Sequence, residues 1–159
     1  MVAPQTPDEG LNVGYLMGRA RASLLSALDA HLERFGLSGM QFAVLKHLAE
    51  GNAHTAAGLC RFMQYDTGAM TRILDRLEER GLVSRERSRK DRRAVVLKLA
   101  PVGRAQLPRL ANVASGVLQA HLAGFSVTEV AALKSYLGRM IENGQSQGDN
   151  QSTLAGSKS

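Results

Sequence analysis

Near the middle of the chain the spacing of apolar residues changes, and this change restricts the fold more than any other feature. Up to Arg80 apolar residues recur every three or four positions, as on one face of a helix. After Gly81 they alternate with polar residues, as in a half-buried strand. Residues 82–87 and 94–99 each form such a run. The sequence therefore predicts helices followed by a β-hairpin.

The first part of the chain is predicted to be helical. Apolar residues at helical spacing, with no proline among them, indicate one long helix over residues 11–35. Ser38 followed three residues later by Gln41 is a capping box, which predicts a second helix over residues 39–50. Gly51 is suited to end that helix.

The next two predicted helices are short. Thr55 can cap a helix over residues 56–63, and Asp66 or Thr67 can cap another that ends at Arg80. Only a few polar residues separate the two helices. Two short helices joined by a tight polar turn are a helix-turn-helix pattern.

The predicted hairpin has a cationic tip. Residues 88–93 are too charged to pack in a core, whereas Val95, Leu97 and Leu99 should share one face of the second strand. Such a hairpin, placed directly after a helix-turn-helix, is a wing. The alternative is an ordinary charged loop in which Asp91 forms the turn.

Two further helices are predicted after the hairpin. Pro101 suits the first position of a helix that runs to about residue 123, and Pro108 should kink or split it. Ser126 and Glu129 form a second capping box. The helix that they open is expected to end near residue 143.

The domain organisation follows from these elements. Residues 37–100 are predicted to form a winged helix-turn-helix domain, and residues 11–36 and 101–143 dimerisation helices. The long first and last helices have apolar stripes that a small central module cannot cover, which favours a two-fold homodimer. Residues 1–10 are expected to be a flexible tail and residues 144–159 a disordered one.

The charge of the chain is concentrated in one segment. The net charge of the 159 residues is +6, and residues 72–93 alone contain nine basic and five acidic side chains. This concentration favours a polyanionic partner, although a solvated basic surface is the alternative. The single cysteine excludes an intrachain disulfide and suits a reducing cytoplasm. No signal peptide or membrane-spanning segment is predicted.

The second helix of the helix-turn-helix has side chains suited to duplex DNA, whose major groove admits one helix. Small residues let the backbone approach the duplex, threonines can donate to phosphates, and Arg72 can bind guanine through two hydrogen bonds. The alternative for Arg72 is a solvated side chain paired with Asp75. The candidate contacts on this helix are Thr67, Gly68, Ala69, Thr71, Arg72 and Arg76.

The hairpin supplies a second set of candidate contacts. An arginine at its tip can enter the minor groove, where the negative potential is strong. Asp91 lies two residues from Arg93, so a turn can bring its carboxylate onto the guanidinium and orient it. The candidate phosphate contacts are Arg85, Arg87, Arg89, Lys90 and Arg92.

Three segments together resemble the MarR family of bacterial regulators. They are residues 66–77 (DTGAMTRILDRL), 80–83 (RGLV) and 91–93 (DRR), in that order and at the family's spacing. The resemblance extends over residues 11–143. It implies a cytoplasmic homodimer with a winged helix on each subunit, which usually represses transcription from a pseudo-palindromic operator. Many members release DNA on binding a small phenolic or aromatic carboxylate.

The resemblance also implies residue roles. Thr71 and Arg72 fall on recognition-helix contacts, and Asp91 and Arg93 on the acid–arginine pair of the wing. Ala100 departs from the family, which often has a helix-capping threonine there. Candidates for the ligand pocket, where the dimerisation helices meet the winged helix, are Arg19, His31, Phe42 and Met63. Ordinary surface or core positions are the alternative for each.

Other functions have weaker support in the sequence. Cys60 could be an oxidant sensor, but a small buried side chain is the better interpretation. The four histidines have no partners at metal-ligand spacing, so neither a metal nor another cofactor is predicted. No catalytic set, phosphate-binding loop or paired carboxylates indicate an enzyme. A non-specific architectural DNA-binding protein is the main rival hypothesis.

Overall fold

The chain is mainly helical and contains one β-hairpin. A computed structural model describes residues 7–88 and 94–155, with side chains for 12–88 and 94–146. The elements are α1 (Pro7–Leu32), a 3₁₀ turn (Glu33–Phe35), α2 (Gly39–Glu50), α3 (Ala56–Met63), α4 (Thr67–Glu79), β1 (Val83–Arg87), β2 (Val95–Leu99), α5 (Pro101–His121) and α6 (Val127–Ala155). The strands are antiparallel, with Val83 opposite Leu99 and Arg87 opposite Val95. The predicted fold class is confirmed.

The chain divides after Gln119 into two compact units. The core of the first unit is made by α2, α3, α4, the hairpin and the first half of α5, and α1 contributes its last turn. Its fully buried large side chains are Leu32, Val44, Leu45, Leu59, Met70, Leu74, Leu77, Leu82 and Leu110. The second unit contains the last two residues of α5, the turn that follows them and α6.

The predicted capping boxes are confirmed. The Ser38 hydroxyl accepts a hydrogen bond from the Gln41 amide at 3.1 Å, and the Gln41 side chain accepts one from the Ser38 amide at 2.9 Å. Ser126 and Glu129 make the equivalent pair ahead of α6. These bonds satisfy amide groups that a helix start leaves unpaired, so α2 begins where predicted and α6 within a residue of it.

The bounds of the first helix differ from the prediction. It begins at Pro7, inside the segment predicted to be a flexible tail, and ends at Leu32. Proline suits a first helical position, and the acidic residues Asp8 and Glu9 favour the positive end of the helix. At the other end the chain tightens into the 3₁₀ turn and then adopts a left-handed conformation at Gly36, with φ of 65°.

The C-terminal helices differ from the prediction at two points. Helix α5 is continuous through Pro108, so the predicted split does not occur, and Pro108 and Arg104, whose carbonyl the missing proline amide would bond, are both exposed to water. Helix α6 continues to Ala155, so residues 144–155 are helical instead of disordered. No proline interrupts this segment, and the Ser146 hydroxyl bonds to the Glu142 carbonyl at 3.0 Å.

One strand residue also differs from its predicted environment. Leu97 is 2% exposed and Leu99 is half-buried, but Val95 is 48% exposed. Val95 shares their face by alternation, yet it lies at the far end of the hairpin, where the helices no longer cover that face.

Candidate nucleic-acid interface

Helix α4 presents one apolar and one polar face. Met70, Leu74 and Leu77 are buried in the core, which fixes the orientation of the helix. Asp66 caps its start, because the carboxylate accepts a hydrogen bond from the Ala69 amide at 2.7 Å. The first turns of α4 are therefore held firmly while their outer side chains remain free to contact a partner.

The outer face carries the predicted DNA contacts. Ala69 is half-buried, and the exposed members of the set are Thr67, Gly68, Thr71, Arg72 and Arg76. The Thr71 hydroxyl donates to the Thr67 carbonyl at 2.9 Å. Among the side chains of residues 12–88 and 94–146, neither arginine has a carboxylate partner. The structure thus brings all six predicted contacts of this helix onto one surface.

Arg85 has a different environment from the one predicted. Its guanidinium contacts Asp75 at 2.7 Å and Glu78 at 2.5 Å, which joins β1 to α4. The hydrogen bond that the guanidinium donates to Asp75, followed by its contacts with Glu78, raises the pKa of Arg85 above its ordinary value. Because its guanidinium already donates to these two carboxylates, Arg85 is poorly placed to bind phosphate. Asp75 and Glu78, three residues apart on one face of α4, were the sequence signal for this ion pair, and the prediction did not use it.

The rest of the wing is described only in part. Arg87 is exposed at the end of β1, and the Ser88 amide donates to the Ala94 carbonyl at 2.8 Å. Lys98 and Glu86 form an exposed pair at 2.6 Å across the strands. The predicted contacts Arg89, Lys90, Asp91, Arg92 and Arg93 lie outside the described residues.

A small cavity adjoins the exposed face of α4. Its volume is about 190 Å³. Two arginines and a tyrosine supply polar groups, and an isoleucine supplies apolar surface. The lining residues are Ser38, Gln41, Tyr65, Ala69, Arg72, Ile73 and Arg76. No pattern in the sequence groups these residues, because Ser38 and Gln41 reach the cavity only through the packing of α2 on α4.

The four residues predicted to bind a ligand lie in two settings, two exposed on α1 and two at the core of the first unit. Arg19 stacks over Tyr15, with 5.9 Å from the guanidinium carbon to the ring centroid, and the His31 ring bonds to the Ala27 carbonyl at 2.8 Å. Phe42 is buried in the core of the first unit, and Met63 packs against it.

None of these four residues lines the cavity beside α4 or a second cavity at the junction between α1 and α2. The second cavity, about 440 Å³, is lined by Asp29, Ala30, Glu33, Gly36, Leu37 and Ser38. Cys60, the candidate sensor, is half-buried against the core, in keeping with a packing role. In the part of the chain that the structure describes, no cluster of three or more potential metal ligands occurs, and no helix could cross a membrane.

Comparisons with known proteins agree on one family. The MarR family model matches residues 35–94. The HTH-type transcriptional regulator MgrA of Staphylococcus aureus is 30% identical over 109 residues, 69% of this chain and 73% of MgrA. The multiple antibiotic resistance protein MarR of Salmonella typhimurium is 35% identical over 78 residues, 49% of this chain and 54% of that protein.

Solved structures give the same result over more of the chain. A mutant MarR from E. coli in complex with operator DNA has 26% identity and a TM-score of 0.74, covering 86% of this chain and 98% of that one. Bordetella bronchiseptica BpsR, whose DNA binding is regulated by 6-hydroxynicotinic acid, has 25% identity and a TM-score of 0.74, covering 87% and 97%. The chain belongs to the MarR family of winged-helix regulators.

Proposed function

We propose that this protein is a cytoplasmic transcriptional repressor that binds a pseudo-palindromic operator as a homodimer and releases it on binding a small aromatic or phenolic acid. The outer face of α4 carries the proposal. It places Arg72 and Arg76 on a rigid helix, exposed and without a carboxylate partner among the described residues. A related structure, that of mutant MarR from E. coli, is a complex with operator DNA.

Sequence recognition is assigned to the first half of α4. Gly68 has no side chain to hold the helix away from a duplex, and Arg72 can donate two parallel hydrogen bonds to a guanine edge. Thr67 and Thr71 are suited to phosphate or base contacts. The wing would add Arg93 in the minor groove, oriented by Asp91.

The dimer is supported by apolar surface that each terminal helix leaves exposed. The large apolar side chains exposed on α1 are Val13, Tyr15, Leu16 and Met17, and those on α6 include Leu133, Tyr136, Leu137, Met140 and Ile141. Surface of this kind and extent marks an interface with another chain. In a two-fold dimer the two α4 helices would enter successive major grooves, about 10 base pairs apart.

The acid is assigned to the cavity beside α4. Its two arginines can bind a carboxylate, and Tyr65 and Ile73 offer walls for an aromatic ring. Arg72 and Arg76 belong both to this cavity and to the DNA face. An acid bound there would compete with DNA for them, and it can shift the equilibrium only by this differential affinity.

Selection of bound sequences from a randomised duplex pool tests the DNA part of the proposal. The wild type should enrich a pseudo-palindrome, and Arg72→Ala should lose discrimination at one base pair of each half-site, by roughly 1–3 kcal/mol. Arg104→Ala is the matched control, because it removes an exposed arginine of α5 outside the proposed interface. Enrichment of no sequence would instead identify an architectural protein.

Two wing variants extend the same assay. Arg93→Ala should weaken operator binding by roughly 1–3 kcal/mol. Asp91→Ala should also weaken it, although the change makes the protein more positive. Tighter binding by Asp91→Ala would contradict the positioning role of the carboxylate.

Sedimentation tests the dimer. Ile141 is 62% exposed in the single chain, so Ile141→Lys should shift the protein towards a folded monomer. Ser135→Lys adds the same charge at an exposed position of the same helix and serves as the control. A wild-type protein that sediments as a monomer at micromolar concentration would refute the dimer.

Thermal-shift titrations with 4-hydroxybenzoate and 6-hydroxynicotinate test the ligand. Binding to the native state should raise the melting temperature and weaken operator binding. Ile73→Phe fills the cavity and should abolish both effects while DNA binding without acid persists.

A Cys60→Ser variant tests the oxidant-sensing alternative. If it still responds to the acid but no longer to peroxide, oxidation of Cys60 would be a second regulatory signal.

A further inference from the structure

The junction between α1 and α2, residues 33–38, and the first residue of α2 are held by side chains from three different parts of the chain. From α1, the Asp29 carboxylate accepts a hydrogen bond from the Gly39 amide at 2.6 Å. From α5, the Arg109 guanidinium lies over the Phe35 ring, 4.9 Å from its centroid. The third contact comes from the residue that follows α4, and it joins the junction to α4, the helix proposed to bind DNA.

Arg80 makes that third contact. It follows directly after α4, and its guanidinium donates through Nη2 to the Phe35 carbonyl at 2.8 Å and through Nη1 to the Gly36 carbonyl. Arg80 lies 44 residues after Gly36 and 45 residues after Phe35 in the sequence. Although Arg80 is exposed, no carboxylate among the described residues pairs with it.

The two carbonyl acceptors are arranged to suit an arginine, and little free space remains between Gly36 and the Arg80 guanidinium. The carbonyls at the end of a helical turn lack partners within the turn and attract a cation. A planar guanidinium can bond to both at once, whereas a lysine ammonium is a point charge. Gly36 has φ of 65°, and a Cβ added there would lie 3.3 Å from both terminal nitrogens of Arg80.

We propose that Arg80 is a positioning residue that fixes the direction of α4 relative to α1, and thereby the half-site spacing that the dimer accepts. This inference rests on the proposed function, in which α4 binds DNA and α1 contributes to the dimer. The two α4 helices of such a dimer can keep a fixed separation only if each is held rigidly to the dimerising part of its own chain. Arg80 contributes to this connection through its side-chain bonds to Phe35 and Gly36, which follow shortly after α1.

The test uses operators that differ only in half-site spacing. The sequence selected from the random pool is remade with one or two base pairs inserted or deleted at its centre. Each added base pair rotates the half-sites by roughly 35° relative to each other, since one turn contains about 10 base pairs. A rigid dimer should lose about tenfold in affinity for each such step.

Arg80→Ala should flatten this dependence. We expect a loss of less than about threefold per base pair, while discrimination between correct and altered bases within a half-site stays at the wild-type level. Arg104→Ala, which removes the same charge, should keep the wild-type profile. Arg80→Lys should resemble Arg80→Ala, because a lysine keeps the charge but cannot bond to both carbonyls in parallel.

Gly36→Ala provides an independent variant. It leaves Arg80 in place but puts a methyl group against its guanidinium, and should flatten the profile in the same way. Pulsed electron paramagnetic resonance gives a second measurement, with a spin label at Gln64→Cys in a Cys60→Ser background. The distribution of distances between the two labels should be narrow in the wild type and broader in Arg80→Ala.

The outcomes separate this inference from the function on which it rests. A protein that is monomeric, or that selects no operator, refutes the proposed function. A dimer that selects an operator but keeps the wild-type spacing profile and label distribution in Arg80→Ala, Arg80→Lys and Gly36→Ala refutes the positioning role. Equal losses for spacing and base discrimination would also refute it, since they would reflect a general structural defect.

Discussion

The central winged helix and the terminal helix α6 use the same kind of apolar stripe in opposite ways. In the winged helix, Leu74 is 1% exposed and packs in a core made by several elements of the same chain. On α6, Leu137 is 38% exposed and Ile141 62%. The winged helix is thus complete as a single chain, whereas α6 is not. The difference supports the proposal that a second copy covers α6.

The largest expected effect tests this difference directly. Leu74→Ala should lower the free energy of unfolding by roughly 2–5 kcal/mol, because it leaves a cavity in a closed core. Leu137→Ala should cost much less within the chain but weaken the proposed dimer. Urea unfolding at two protein concentrations measures the first, and sedimentation measures the second. Equal losses of stability, with no change in mass, would contradict the comparison.

Packing inside the first unit leaves no space at Gly103. A Cβ there would lie 2.3 Å from the Leu82 carbonyl oxygen, which is a backbone atom and cannot easily move away. Gly103→Ala should therefore destabilise the protein by roughly 1–3 kcal/mol. Gly116→Ala is the control in the same helix, since nothing lies within 4 Å of its added Cβ. It should stabilise α5 by up to about 1 kcal/mol, and thermal unfolding distinguishes the two signs.

The cap of α4 should have a smaller effect on stability than the core. Asp66→Ala removes the acceptor of the Ala69 amide bond and should cost roughly 0.5–2 kcal/mol. Asp66→Asn retains a capping oxygen and should lose only a fraction of this. Operator binding should fall with the first variant, because the frayed turn contains the proposed contacts. Unchanged urea unfolding in Asp66→Ala would show that the cap is dispensable.

The smallest expected effects concern pH, and they distinguish the two regions. Burial, aided by the charge of Lys46 and opposed by Glu50, lowers the pKa of His47 in α2 below 6.5. Hydrogen bonds from the amide and hydroxyl of Ser126 lower the pKa of Glu129 in α6 below 4.5. In both cases the unfolded chain binds the proton more readily, so the stabilising contribution is complete above the ordinary pKa and is lost as pH falls below it.

The winged helix should therefore begin to lose stability near pH 6.5, and α6 only near pH 4.5. NMR titration of the His47 ring and the Glu129 carboxyl measures both pKa values. In a plot of unfolding free energy against pH, His47→Gln should remove the loss that begins near pH 6.5 and leave the loss that begins near pH 4.5. A His47 pKa above 6.5 would reverse the expected sign.

Much of the fold could be predicted because its signals are local. Ser38, Thr55 and Asp66 cap the helices that our sequence analysis assigned to them. The change to alternating residues after Gly81 correctly predicts the hairpin. Where the local signal is weak, the prediction fails. Gly144 resembles a helix end, but α6 continues past it because no proline or strong cap stops the helix.

The sequence by itself determined the order of elements, the amphipathic character of α4 and the segment in which positive charge is concentrated, since each depends on neighbouring residues. Only the tertiary structure decided which arginines are free. Arg85 is bound by Asp75 and Glu78, and Arg80 by carbonyls more than 40 residues away, whereas Arg72 remains exposed. Arginine has the same charge in every context, and only the packing of distant segments determines which acceptors it meets.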